Sequence, residues 1–467
     1  MINFQFYLKK VLITLIFVFT MFLNSGISQT VRYDSTDIRV HPTNNSHQFE
    51  MSVAVSPVNR NVVCASAITD KPESPGIGFY FSTDGGLHWR GSDSMPNTVL
   101  YLAKPGVAID RQENFYVNAN LDPDALNDHK EYIVFYRFTK QGETWVMDLY
   151  DTIRNGGSVN PIDVDRNYLT VDNTPSSSYA GRLYCGWKEE TPDSNISVKY
   201  STNRGTTWLP GTGPTSDGID ISTGITPGYA SRRPQGVNLQ VGPNGYVYAC
   251  WAMRKKSSPY TEYGIGFNLS TNGGTNWGTT YAPKYAIDNI QGIRNDEYDA
   301  IALPVATNSF PIMGVNMQTG KIYIVWVNEG VPGVNNGDPD IYIISSSNSG
   351  QSWSSPIRVN NDVGDAIQFN PWLSVDPING HILISFYDNR AHVGQNLYDY
   401  YVAHSSDGGE TFEDFPVNNT SFRTKEISIS IPPFNDKHYG EHSGIAAMDG
   451  RCYPIWNAHL PDTNYSQ

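Results

Sequence analysis

The octet Ser-x-Asp-x-Gly-x-x-Trp recurs along this chain and limits what the chain can fold into. It reads Ser82-Thr-Asp84-Gly-Gly86-Leu-His-Trp89 at its clearest, and returns as Ser201-Thr-Asn203-Arg-Gly205-Thr-Thr-Trp208 and Ser270-Thr-Asn272-Gly-Gly274-Thr-Asn-Trp277. Ser346-Ser-Asn348-Ser-Gly350-Gln-Ser-Trp353 and Ser405-Ser-Asp407-Gly-Gly409-Glu-Thr-Phe412 follow. A decayed copy, Phe138-Thr-Lys140-Gln-Gly142-Glu-Thr-Trp145, fills the gap between the first two. Copies roughly 55–75 residues apart mark a repeat architecture, one supersecondary unit per copy. Ser and Asp or Asn bond nearby backbone amides and hold a tight turn. Gly supplies a positive φ without steric cost, and Trp opens the next strand with a large apolar face. Alternating apolar runs such as Gly78-Phe-Tyr-Phe81 and Ile341-Tyr-Ile-Ile344 precede the copies, so the octet reads as a hairpin turn between two strands.

Before each octet stand two further apolar strands joined by a turn. The pairs are 53–55 with 62–67, 106–110 with 115–118, 169–172 with 182–187, 237–241 with 246–251, 301–305 with 321–326, 372–376 with 381–387, and 444–448 with 451–456. That makes seven units, the last without an octet. The run Ile38-Arg-Val-His-Pro-Thr-Asn-Asn-Ser-His-Gln-Phe49 matches Ile357-Arg-Val-Asn-Asn-Asp-Val-Gly-Asp-Ala-Ile-Gln-Phe369, a fourth strand running into the next unit. The N-terminal copy is therefore expected to complete the seventh unit and close the ring. Closure removes exposed sheet edges.

These octets resemble the Asp-box (BNR) repeats of the sialidase-like β-propeller superfamily, over nearly all of residues 29–467. The resemblance implies an all-β propeller of four-stranded blades, seven favoured and six the alternative if one pair is an insertion. It also implies that the octets are structural, on the rim opposite the functional mouth. For a sialidase it implies an arginine triad gripping a carboxylate, a Tyr nucleophile activated by Glu, and an Asp acid/base. The first arginine of that family stands in a Phe-Arg-Ile-Pro motif. The matching stretch here is Phe49-Glu50-Met51-Ser52, where a carboxylate would repel a sialic acid. A sialidase of the usual kind is therefore not expected.

Lys9-Lys10, the apolar run 11–23 and small residues up to Ser28 describe a secretory signal peptide over residues 1–28, with no cysteine beside the cut. Residues 29–467 read as one propeller domain, secreted, periplasmic or at the cell surface. A formal net charge of −14 argues against nucleic acid or an anionic membrane as partner. Cys64, Cys185, Cys250 and Cys452 lie in apolar runs and read as buried small hydrophobes, with a disulfide framework as the competing reading. Asn335-Asn-Gly-Asp338-Pro-Asp340 offers oxygen ligands to Ca²⁺ but lacks EF-hand spacing, and competes with a plain solvated turn. No cofactor is otherwise expected.

Propellers bind ligands at the mouth of the central channel. Residues that precede each first strand or follow each second strand should line it. Candidate carboxylates for acid/base work are Glu50, Asp70, Asp299, Asp388 and Glu441, since glycoside hydrolysis needs two of them facing each other. Candidate ligand-binding residues are Lys104, Arg166, Arg232, Arg233, Arg254, Arg390 and His442. The expected function is action on, or binding of, a carbohydrate or cell-surface glycoconjugate. A non-catalytic binding or scaffold module is the alternative, and the competing reading for each single residue is a solvated loop charge.

Overall fold

A computed structural model describes residues 37–41, 47–70, 76–96, 101–122, 132–154, 163–190, 195–210, 218–222, 232–255, 262–278, 285–288, 309–333, 337–423, 427–428, 437–438 and 442–458. The expected signal peptide, Asp299 and Glu441 lie outside them.

The described residues form strands and turns, with no helix long and apolar enough to cross a membrane. Six four-stranded antiparallel sheets follow one another along the chain, each a meander in sequence order. Their first strands are His47–Val55, Tyr101–Ile109, Asp163–Val171, Arg232–Val241, Ile312–Val315 and Gln368–Val375. Each packs against the first strand of the next sheet. Between the sixth and the first of these strands lies Gly444–Met448, which pairs with Arg451–Ile455. Among the described residues the molecule is therefore a β-propeller with six four-stranded blades, not the favoured seven. The seventh ring position is held, among the described residues, by a two-stranded hairpin.

The expected closure by an N-terminal strand is not seen among the described residues. Residues 38–40 are not a strand. Val40 instead packs with Met51, Tyr80 and Ile455, and the amide of Asn419 donates to Asp37. The hairpin itself ties the ring. Tyr453 donates its hydroxyl to Arg60 O, Arg60 pairs with Asp449, and the buried Asp376 accepts from Asp449 N at 3.1 Å and Gly450 N at 2.6 Å. In the fifth blade the innermost strand is Ile312–Val315, paired with Ile322–Glu329, and not the run 301–305, which lies outside the described residues. Asn316 explains the shift: its side chain takes the amides of Gln318 and Thr319 and fixes the turn directly after Val315.

The octets form the turns expected of them. Each Ser hydroxyl accepts from the Gly amide four residues on, at 2.9 Å for Gly86, 2.8 Å for Gly205, 2.9 Å for Gly274, 2.9 Å for Gly350 and 3.0 Å for Gly409. The Asp or Asn oxygen accepts a second amide, from His88, Thr207, Asn276, Ser352 or Thr411. The aromatic then docks back on the preceding blade. Trp208 meets Phe135 edge-on at 5.3 Å, Trp353 meets Phe267 at 5.2 Å, and Trp145 lies 4.9 Å from Phe81. Such pairs contribute about 0.5–1.5 kcal/mol each beyond their buried area. The octets therefore join neighbouring blades.

Candidate functional site

Alternation along an antiparallel meander puts the start of each first strand and the end of each second strand at one end of the ring, the mouth. The octets, between third and fourth strands, lie at the other. At the mouth five first strands carry the same irregularity. Their pairing register slips between Phe49 and Ser52, Ala103 and Gly106, Asp165 and Tyr168, Gln235 and Asn238, and Phe369 and Trp372. Inside each slip sits a residue with positive φ: Glu50 at 51°, Lys104 at 55°, Arg166 at 55°, Gly236 at 64° and Asn370 at 49°. A non-glycine residue rarely adopts this conformation. A bulge re-aims the side chain it carries, and strained backbone gathers at functional sites. Here one device, repeated around the ring, turns Glu50, Lys104, Arg166 and Asn370 out of the sheet pattern.

Aromatic faces stand between these polar groups. Tyr168 and Trp372 stack at 6.3 Å, and the His442 ring lies 5.4 Å from Trp372. All three are partly exposed and line the central cavity with Lys104, Arg166 and Phe310. The Arg166 guanidinium sits 4.6 Å over the Phe310 ring.

The charges fall into two groups. Lys104 pairs with Asp165, and Arg166 Nε lies 3.6 Å from the same carboxylate. Burial works against ionisation of Asp165, yet Lys104, Arg166 and Lys188 hold its carboxyl well below the usual range. Near His442, the second group holds Glu50. It is buried, and its Oε2 accepts no hydrogen bond. Burial pushes the His442 imidazole down to about 4; the Glu50 charge opposes this, and Arg166 and Lys104 reinforce it. His442 is therefore neutral at pH 7. In the fourth blade Glu262 accepts from Ser309 N at 3.1 Å and faces Arg254 at 3.9 Å, and burial raises its carboxyl above the ordinary range.

Of the residues expected at the mouth, Glu50, Lys104, Arg166 and His442 are brought together. Arg254 donates to Gln235 Oε1 at 3.0 Å, and Arg233 pairs with it across the strands of the fourth blade. Arg232 pairs with Lys255 through the backbone, and its side chain lies outside the described residues. So does the side chain of Asp70, at the end of Val63–Asp70. Asp388 and Arg390 form a pair within the sixth blade. Arg390 donates to Asp388 Oδ2 at 2.7 Å and to Asp414 Oδ2 at 2.6 Å, and its guanidinium covers the Tyr401 ring at 4.3 Å. Arg390 thus joins the end of Ile382–Asp388 to the outer strand Glu413–Pro416 of the same blade. Among the described residues one arginine, Arg166, lines the central cavity.

No protein-family model matches the chain, and no curated protein matches it. Solved structures resemble it. An ulvan lyase, described as a new family of polysaccharide lyase, is similar over 86% of this chain and 88% of its own, at 10% identity and a TM-score of 0.48. The α-L-arabinanase of Penicillium chrysogenum complexed with arabinobiose covers 74% of this chain and 91% of its own, at 13% identity and 0.46. A Hadza microbial sialidase covers 73% of this chain, at 14% identity and 0.44, and the match spans 63% of that protein. These neighbours are carbohydrate-active proteins. Likeness of this degree assigns no activity to this chain.

Asp165, Tyr168, Phe310, Trp372 and Glu262 belong to the mouth and are not among the residues expected there. Trp372 opens the expected strand 372–376 and Tyr168 directly precedes 169–172, so neither stands out as a mouth residue. The bulge, which a two-residue period hides, is what exposes them. One signal marks it: a charged or amide residue five positions before the last apolar residue of the first strand, as Glu50 stands before Val55 and Arg166 before Val171.

Proposed function

We propose that this chain is an exported propeller that binds a carbohydrate at the mouth of its channel. The observation that carries this is the stacked, partly exposed set Tyr168, Trp372 and His442 ringed by the bulge-borne groups Glu50, Lys104, Arg166 and Asn370. A sugar presents an apolar face to an aromatic ring and hydroxyls to charged and amide groups around it, which is the composition of a small-molecule site. Three arginines around one carboxylate, which a sialidase would use, are not gathered among the described residues, and Glu50 occupies the matching position of the first.

One observation favours turnover as well as binding. Glu50 keeps a buried carboxylate oxygen that accepts no hydrogen bond. Once ligand entry opens a path to it, such an oxygen could take or give a proton at a glycosidic oxygen. A glycan array and a panel of aryl glycosides, a sialoside included, test both readings on the mature chain with Trp372→Ala and Glu50→Gln. Trp372→Ala should abolish glycan binding with the fold intact. Glu50→Gln should abolish any turnover and spare binding. Binding unaffected by Trp372→Ala sinks the mouth as the site, and strong hydrolysis of the sialoside sinks the argument from Glu50.

A further inference from the structure

A second polar centre lies where the fifth blade passes to the sixth. Asp340 opens the strand Pro339–Ser346, Asp338 stands two residues before it, and Asp362 lies in the connection between Ile357–Arg358 and Gln368–Val375. Carboxylate oxygens of the three lie within 4.8 Å of one another. Two of those six oxygens are already employed. Arg358 donates to Asp340 Oδ1 at 2.9 Å and to Asp362 Oδ1 at 2.8 Å. Asn360 donates to the same two atoms at 2.7 and 2.5 Å. This clamp fixes both carboxylates by one edge.

The other edge is what points to a ligand. Asp362 Oδ2 and Asp338 Oδ2 are sealed from solvent and accept no hydrogen bond, and the Asp362 side chain is 2% exposed. A buried carboxylate oxygen without a partner is costly, and proteins pair such atoms or give them to a metal. The charge count agrees. Three carboxylates against one guanidinium leave the cluster two charges negative, and Asp365 adds to the field on Asp338. Burial, with mutual repulsion behind it, pushes Asp338 and Asp340 above the ordinary carboxylate range. The backbone around the cluster is set: Asp338 O accepts from Gly330 N at 3.0 Å, and Asn328 holds Gly330 O at 2.7 Å.

We infer that Asp338, Asp340 and Asp362 hold a calcium ion that fastens the loop before Pro339 to the connection between the fifth and sixth blades. The ligands are all hard oxygens, which excludes metals that favour imidazole or thiolate. Mg²⁺ dehydrates reluctantly and keeps several waters, whereas Ca²⁺ accepts buried carboxylates in irregular geometry. Two of the oxygens offered here are shut off from water, so Ca²⁺ is the better match.

The test uses the whole mature chain after dialysis against a chelator. Calorimetric titration with CaCl₂ should show one ion per chain, with weaker heat from MgCl₂, and Ca²⁺ should raise the melting temperature. Asp338→Asn and Asp362→Asn should each weaken Ca²⁺ binding by roughly tenfold or more while circular dichroism stays that of the parent. A second measurement needs no acidic-residue variant. Tb³⁺ added to the unmodified chain should luminesce on tyrosine excitation, because Tyr342 lies within the field of Asp340 and Asp338. Ca²⁺ should quench that emission, and Tyr342→Phe should weaken it. Absence of Ca²⁺ heat and of Ca²⁺-quenched Tb³⁺ emission overturns the inference. So does preference for Mg²⁺, or Ca²⁺ binding that survives both Asp→Asn changes in folded protein.

Discussion

At the scale of single residues, the octets show how one side chain can be structural while looking catalytic. Asp84 accepts from His88 N at 3.0 Å and from the Ser82 hydroxyl at 2.8 Å. Burial opposes ionisation slightly, but these donors and the His88 ring hold its carboxyl down to about 2. Asn203, Asn272 and Asn348 fill the same place with a neutral amide and take the same amide bond. The position therefore needs an acceptor oxygen and not a charge. Asp84→Ala should lower stability by about 1 kcal/mol, as loss of a capping oxygen typically does. Asp84→Asn should restore most of it, and glycan binding per folded molecule should not change in either. Thermal unfolding beside a binding assay checks this, and loss of binding at unchanged melting temperature would contradict it. His442 is the opposite case. Its pKa falls from 6.5 unfolded to about 4 folded, so the unfolded chain takes up a proton first as pH drops. Its contribution is full above pH 6.5 and is lost as pH falls towards about 4. The stability advantage of the parent over His442→Gln should shrink across that window in urea titrations. An advantage that stays level would mean that His442 is not buried against Trp372.

At the scale of elements, what the sequence reveals follows from how local each cause is. Turn chemistry is local, so Ser82-x-Asp84-x-Gly86 and its relatives announce their hairpins, and the strands flanking them follow. The decayed copy shows the limit. Its Gly142 still has a φ of 66°, but the turn shortens to a tight hairpin between Tyr132–Gln141 and Thr144–Arg154. Bulges depend on which residue faces the neighbouring blade, so Glu50 and Arg166 are legible as polar interruptions while Tyr168 and Trp372 do not stand out. For Asp388 and Arg390, spacing cannot say that Asp414, on another strand, would also pair with Arg390. The octet glycines make a further point about packing. A Cβ on Gly350 would stand 2.2 Å from Phe267 of the preceding blade, and its φ is +82°. Gly350→Ala should therefore destabilise by about 1–3 kcal/mol, through overpacking and left-handed strain together. Phe267→Leu in the same chain should recover part of the loss. Equal melting temperatures for Gly350→Ala and the parent would show that blades four and five do not pack through this turn.

At the scale of the whole molecule, the ring must close on something, because an open propeller leaves a sheet edge at each end. The closing unit here is the hairpin 444–455, and it is small. It packs against the first strands of the sixth and first blades on its two sides. Asp376, at the end of the sixth blade's first strand, is 1% exposed and gathers three amides, those of Ile378, Asp449 and Gly450. Two of the three belong to the hairpin turn. On the other side Arg60 and Asn61 of the first blade take Asp449 and Arg451. Replacing Asp376 by Ala takes the acceptor from two part-buried turn amides of the hairpin, a loss of about 0.5–1.5 kcal/mol for each hydrogen bond, since water can reach the exposed turn. The consequence should be more than local. Opening this joint exposes the first strands of blades one and six, so Asp376→Ala should give earlier cleavage within 444–455 in limited proteolysis and a greater tendency to aggregate on warming. Asp110→Ala is the control. Asp110 does the equivalent work within the second blade, accepting from Gln112 N and Asn114 N, but it joins no closure. If both variants lose stability equally and neither changes the proteolytic pattern, the hairpin is an accessory to a ring already closed by other contacts.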